Sequence, residues 1–192
     1  MKRIYIFPRY SGNESSDWYQ QAISDLYASD EEISCTVLNL PNWDKPDPEE
    51  FLTFIKTRMS VHDLNENSYF IGHSVGCQAA LLFLDFLANA HTGFKIGGFL
   101  CIAGWWTVDQ PWEQLKFWID QPIDFDKIKE VCNNNISCLL SDHDPFTSDT
   151  FSNQKEWEEK LNANVTIIPN AKHFNTDGYV EVIAEINHMT NK

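Results

Sequence analysis

The chain has 192 residues, the length of one domain, and 43% of them are hydrophobic, enough for a proper core. Its 14 lysines and arginines stand against 28 aspartates and glutamates. The resulting formal net charge of −14 argues against nucleic acid or an anionic membrane surface as a partner. Five cysteines (Cys35, Cys77, Cys101, Cys132, Cys138) are odd in number and form no C-x-x-C pair. They read as reduced, buried thiols of a cytoplasmic protein rather than a disulfide framework.

Ile4–Phe7 is the first predicted strand. With Lys2 and Arg3 before it and Pro8 after it, this apolar stretch is too short for a signal peptide. No run approaches the roughly 20 apolar residues that span a bilayer. A polar loop over residues 8–17 leads to a helix at Trp18–Ala28, whose Trp18, Ala22, Ile23 and Leu26 recur at helical spacing. Ile33–Leu40 is a second strand, stopped by Pro41. Asp47-Pro48-Glu49-Glu50 is a helix start, with Asp47 as N-cap, Pro48 in the first turn and Glu50 at the capping-box position. Phe51, Phe54, Ile55 and Met59 then share one helix face.

Asn67–Ile71 reads as a buried strand, and Cys77 to about Ala90 as an apolar helix. Ile96–Ala103 is the next strand, and the Trp-rich stretch Gly104–Asp120 has no clean periodicity. A short helix at Asp124–Cys132, a strand at Ile136–Leu140, a charged helix at Phe151–Leu161, a strand at Val165–Ile168 and a helix at Tyr179–His188 complete the chain. The strands are short continuous apolar runs alternating with helices. That pattern predicts an α/β fold with a mostly parallel central sheet and helices on both faces. Residues 1–192 are expected to form a single domain.

Between the third strand and its helix stands Gly72-His73-Ser74-Val75-Gly76. A Gly-x-Ser-x-Gly pentapeptide on a strand-to-helix turn is the nucleophile elbow of α/β-hydrolases. The pattern alone would occur by chance in roughly one such chain in fifteen, given glycine and serine near 7% each. Its partners must therefore follow in the order acid, then histidine, each beyond a strand end. Past Ile136–Leu140 lies Ser141-Asp142-His143-Asp144-Pro145-Phe146, where Asp142 and Asp144 both qualify as the acid. Pro145 biases Asp144 to an extended backbone, while Asp142 is nearer the strand. Past Val165–Ile168 lies His173, a candidate base for Ser74.

The oxyanion hole needs two backbone amides. Val75, after the nucleophile, is one. The other should come from the loop Pro8-Arg9-Tyr10, where Pro8 has no N–H and Arg9 or Tyr10 must donate. Trp105, Trp106, Trp112, Phe117 and Trp118 could wall a substrate pocket or pack a short lid. Asp142-His143-Asp144 lacks a second ligand group at metal-binding spacing, so no metal or other cofactor is expected. His73 is expected to face away from the nucleophile and to be structural.

The chain resembles the small single-domain serine hydrolases typified by retinoblastoma-binding protein nine. The similarity covers nearly the whole length. It rests on the elbow, on Phe117 through Pro122 to Phe125-Asp126-Lys127-Ile128-Lys129, on Asp144-Pro145 and on Lys172-His173-Phe174. The resemblance implies an α/β-hydrolase without a large cap domain and favours Asp144 as the acid. The serine, acid and histidine themselves point to cleavage of a small ester or amide. Two positions depart from the pattern. Arg9 stands where the family has glycine, and could set a cation at the mouth of the site. Lys172 replaces the glycine before the histidine. No Leu-x-Cys-x-Glu sequence supports a retinoblastoma-type partner. The expected machinery is Ser74, His173 and Asp144, with Val75 and Tyr10 amides for the oxyanion and Arg9, Trp105 and Trp106 near the substrate. The runner-up is a catalytically weak hydrolase fold serving as a protein-binding module.

Overall fold

The computed structural model describes residues 1–29, 32–42, 45–109 and 111–191. In chain order the elements are β1 (Lys2–Phe7), α1 (Tyr19–Ser29), β2 (Ile33–Val37), α2 (Pro48–Arg58), β3 (Ser68–His73) and α3 (Val75–Ala90). They continue as β4 (Gly98–Ile102), α4 (Phe125–Val131), β5 (Ile136–Ser141), α5 (Thr150–Leu161), β6 (Asn164–Ile168) and α6 (Tyr179–Thr190). The strands form one sheet in the order β2-β1-β3-β4-β5-β6, with every neighbouring pair parallel. This is an α/β-hydrolase sheet. No described helix is long and apolar enough to cross a membrane.

Period-two alternation along the strands divides the interior into two cores. Phe70, Phe99, Cys101, Cys138 and Leu140 face one side, with α2, α3, α4 and α5 packed over them through Phe51, Leu84, Ile128 and Trp157. Ile4, Ile6, Ile71, Leu100 and Leu139 face the other, covered by α1 and α6 through Leu26, Val182 and Ile186. β3, β4 and β5 are buried along their whole length, which is why they read as continuous apolar runs. β6 is an edge strand and mostly exposed.

Local chemistry sets the helix starts. The Asp47 carboxylate accepts the Glu50 amide at 2.9 Å and caps α2. Glu50 itself turns to Asn42 Nδ2 at 2.6 Å, so its side chain ties down the preceding loop. Asp124 and Asp149 cap α4 and α5 in the same way. β2 ends at Val37, three residues before the sequence-based limit of Leu40. Its neighbour β1 stops at Phe7, and the Leu38 amide to the Ile6 carbonyl is the rung beyond β2. Leu38 and Leu40 remain buried without a ladder. The Trp-rich stretch holds a short 3-10 helix, Trp112–Trp118, and no larger cap among the described residues.

The sheet order places the site. The chain runs from β1 outward to β2, then returns across β1 to start β3 and proceeds to the opposite edge. The carboxyl ends of β1 and β3 therefore flank a crevice where ligands bind in open parallel sheets. At this point α3 passes against β1. A Cβ on Gly76 would collide with the Phe7 carbonyl, and one on Gly72 would lie 2.5 Å from Cys77 Cα. We expect Gly76→Ala to destabilise the fold by about 3 kcal/mol, read as a lowered urea midpoint, because the obstacle is rigid backbone. An unchanged midpoint would show that the crossing relaxes freely.

Candidate active site

Ser74 links β3 to α3 with φ 55° and ψ −123°. A non-glycine residue in such a region costs on the order of 1–3 kcal/mol, so its surroundings must hold it there. The Ser74 amide donates to the Ile102 carbonyl of β4 at 2.8 Å, and its carbonyl accepts from Cys77 in the first turn of α3. Val75 is the first residue of α3, where helix amides have no intrahelical partner and the helix dipole favours negative charge.

His173 lies in the loop after β6, and its Nδ1 is 2.7 Å from Asp144 Oδ2. Both residues are buried, at 6% and 8% exposure, so water competes little for the pair. A carboxylate can only accept, so Nδ1 carries the proton and neutral His173 keeps its lone pair on Nε2. Asp144 Oδ1 takes the Phe146 amide at 2.9 Å, a turn that spans Pro145 and fixes the carboxylate. The Phe146 ring meets His173 edge-on at 4.6 Å. Asp142 is elsewhere: it accepts the Asn170 amide at 2.7 Å and pairs with the His143 ring at 2.8 Å. Those contacts, the His143 ring first, hold its carboxyl below the usual range. Asp142 thus staples the acid loop to the histidine loop, while Asp144 touches the histidine. The residues on either side of His173, Lys172 and Phe174, both have positive φ, 52° and 55°.

The loop after β1 is braced by Arg9. Its guanidinium grips Asp17 through Nε at 2.7 Å and Nη2 at 3.0 Å, and donates through Nη1 to the Tyr10 carbonyl at 2.7 Å. The charge expected at the mouth is therefore neutralised by Asp17, and Arg9 acts as a brace. The Arg9 amide donates to the Tyr19 hydroxyl at 3.1 Å.

Arg9, Tyr10, Ser74, Trp105 and His173 line one cavity of about 180 Å³. Val108, Trp112, Leu115 and Phe146 add to its apolar wall. Trp112 packs between two other lining residues, its ring 5.9 Å from Tyr10 and 5.5 Å from Phe146. Trp106 lies outside this lining, which corrects the sequence expectation. Its ring packs on Trp157 at 5.1 Å and on Phe125 at 5.6 Å, and its amide is held by Asn153. Trp118 is fully buried against Phe51, and Phe117 is exposed. Sequence reasoning passed over Leu115, Val108 and Asn175, which also line the cavity. Phe146 could have been found, since it directly follows the Asp-Pro turn.

A parallel sheet in this order, a serine on a strained elbow and a buried aspartate–histidine pair whose histidine lines the same cavity are the features of a hydrolase of the α/β class. The model of the serine hydrolase family matches residues 4–189, and the chain belongs to that family. It is 26% identical over 176 residues to the YdeN protein of Bacillus subtilis (strain 168), covering 92% of this chain and 87% of that one. The crystal structure of the Bacillus subtilis ydeN gene product superposes with a TM-score of 0.87 over the whole of both chains, at 24% identity. Est1E from Butyrivibrio proteoclasticus, solved with ferulic acid bound, shares the fold at a TM-score of 0.70 and 10% identity, over all of this chain and 87% of that one.

Lys172 occupies a backbone region that glycine enters freely. Lys172→Gly is expected to raise stability by about 0.5–1 kcal/mol, seen as a higher urea midpoint at unchanged slope. A lower midpoint would mean that the exposed Lys172–Asp177 ion pair outweighs the backbone relief.

Proposed function

We propose that the protein is an esterase-like serine hydrolase that cleaves small, uncharged esters, with amides as poorer substrates. The observation that carries this reading is the buried His173–Asp144 pair on the cavity that Ser74 lines. Ser74 Oγ attacks the acyl carbonyl as His173 Nε2 takes its proton, and Asp144 stabilises the imidazolium. The oxyanion forms against the Val75 and Tyr10 amides. Collapse breaks the bond to the leaving group, which receives the proton from His173 and leaves an acyl-Ser74. Water, deprotonated by His173, then releases the acid and restores Ser74.

The preference for uncharged acyl groups rests on two features. The walls of the cavity are mostly aromatic and aliphatic, and the cation in its lining, Arg9, is tied to Asp17. The motif similarity supports placing the chain with the retinoblastoma-binding protein nine type of the family. Its five unpaired, buried cysteines support a reducing compartment, the cytoplasm. Residues 1–192 are read as one catalytic domain, since all six described strands share a sheet.

A fluorophosphonate probe should label the wild type and fail to label Ser74→Ala. Absence of labelling and of p-nitrophenyl ester turnover in folded protein would sink the reading. Asp144→Asn should lower kcat by about 10⁴-fold, as a wrongly held imidazole tautomer does, whereas Asp142→Asn should cost about tenfold or less. The opposite ranking would reassign the acid. Across p-nitrophenyl esters, kcat/KM should peak at short acyl chains and fall for dodecanoate, which exceeds a cavity of about 180 Å³. A flat profile would remove the pocket from the specificity argument.

A further inference from the structure

Beneath the proposed machinery runs a second polar chain, buried at Tyr19 and His73 and partly buried at Arg9, that the reaction does not use. The Tyr19 oxygen accepts the Arg9 amide at 3.1 Å and lies 2.8 Å from His73 Nδ1. On its far side, His73 Nε2 lies 2.8 Å from the backbone carbonyl oxygen of His173. Both Tyr19 and His73 have no exposed surface.

The protons of this chain follow from its two ends. The His173 carbonyl can only accept, so His73 carries its proton on Nε2. Burial, with the nearby His173 ring adding to it, pushes the His73 imidazole well below its ordinary range and keeps it neutral. Nδ1 therefore holds a lone pair, and the Tyr19 hydroxyl donates to it. Burial also drives the Tyr19 phenol far above its ordinary range, so the hydroxyl keeps that proton. Every donor along Arg9 N–H, Tyr19 O–H and His73 Nε2–H then meets one acceptor. Buried polar groups matched in this way hold their backbones tightly, because each broken link leaves an unpaired group in a dry interior.

The chain joins the three segments that must keep register for catalysis. Arg9 is the second residue of the loop after β1, beside the Tyr10 peptide. His73 is the residue before the nucleophile. His173 is the base. We propose that Tyr19 and His73 are positioning residues, which hold the oxyanion loop and the His173 main chain at a set spacing around Ser74. They touch neither substrate nor reacting atoms. The proposal rests on the serine-hydrolase reading above. Simple filling of space does not account for it, since the apolar neighbours of His73, among them the Trp18 ring at 5.8 Å, ask only for bulk.

The test compares kcat, KM and fluorophosphonate labelling rate in variants whose folding is checked by thermal melts. Tyr19→Phe keeps the ring and removes the link. It should lower kcat and labelling about 10- to 100-fold, the cost of a misplaced reacting group, with KM nearly unchanged. His73→Gln retains a donor for the His173 carbonyl and should keep more activity than His73→Leu. Leu26→Val trims the same helix away from the chain and should lower the melting temperature yet leave kcat at the wild-type value. Wild-type kcat in Tyr19→Phe, or an equal loss in Leu26→Val, overturns the proposal. Should Tyr19→Phe not fold, the His73→Gln and His73→Leu ranking decides, and equal activity in both overturns it. A wild type that never labels removes the hydrolase reading and this proposal together. Labelling that Ser74→Ala abolishes but Tyr19→Phe leaves unchanged removes this proposal alone.

Discussion

The passage of α3 against the carboxyl end of β1 is the constraint on which the rest of the site depends. It exists only because position 76 has no side chain to strike the Phe7 carbonyl. That approach brings the serine turn alongside the loop that follows β1, so the proposed nucleophile and the amides of the loop after β1 can share one crevice. It also forces the turn into the unusual backbone of Ser74, which the Ile102 carbonyl of β4 then secures from the opposite side. Strain is tolerated where neighbouring strands on both sides over-determine the position.

Similar strain recurs around the crevice. Asp17, Ala103, Lys172 and Phe174 all have positive φ and all lie in loops at this end of the sheet. Three of the four have a visible anchor. Asp17 holds Arg9, the Ala103 amide donates to Leu139, and Phe174 is buried in the core beneath α6. Lys172 is the exception in that its side chain makes an exposed ion pair and its backbone takes a conformation open to glycine. The two departures from the family pattern thus have different physical accounts. Arg9 brings its own counter-ion and braces a loop, whereas Lys172 adopts the glycine conformation at a cost.

Much of this was legible in the sequence, for reasons that differ by element. The buried strands announced themselves because a parallel sheet covered on both faces needs unbroken apolar runs. Asp47, Asp124 and Asp149 marked helix starts because capping is a local interaction. The order of Ser74, an acid and His173 followed from chain topology. Other features had no local signature. Asp142 and Asp144 are two residues apart in one loop, and only the fold separates the one that staples Asn170 from the one that meets His173. Trp105 and Trp106 are adjacent, and the backbone turns one to the cavity and the other to Trp157. Periodicity missed the 3-10 helix at Trp112–Trp118, whose rings make tertiary contacts with Tyr10, Phe146 and Phe51. His73 reads as structural from the sequence, but what it holds could not be read there because its partners are 54 and 100 residues away.

That separation has a consequence for how the protein comes into being. The Ser74 turn and the loop after β1 belong to the first half of the chain, but His173 follows the last strand and Asp144 the fifth. Under the proposed mechanism, a growing chain therefore carries the serine long before the base that would activate it. Contacts of this span form late, after loop closure has been overcome. In the proposed mechanism, reactivity at Ser74 waits until β6 has docked and the loop that carries His173 is in place. On that reading the newly made protein stays chemically silent until its last strand and the following loop have folded.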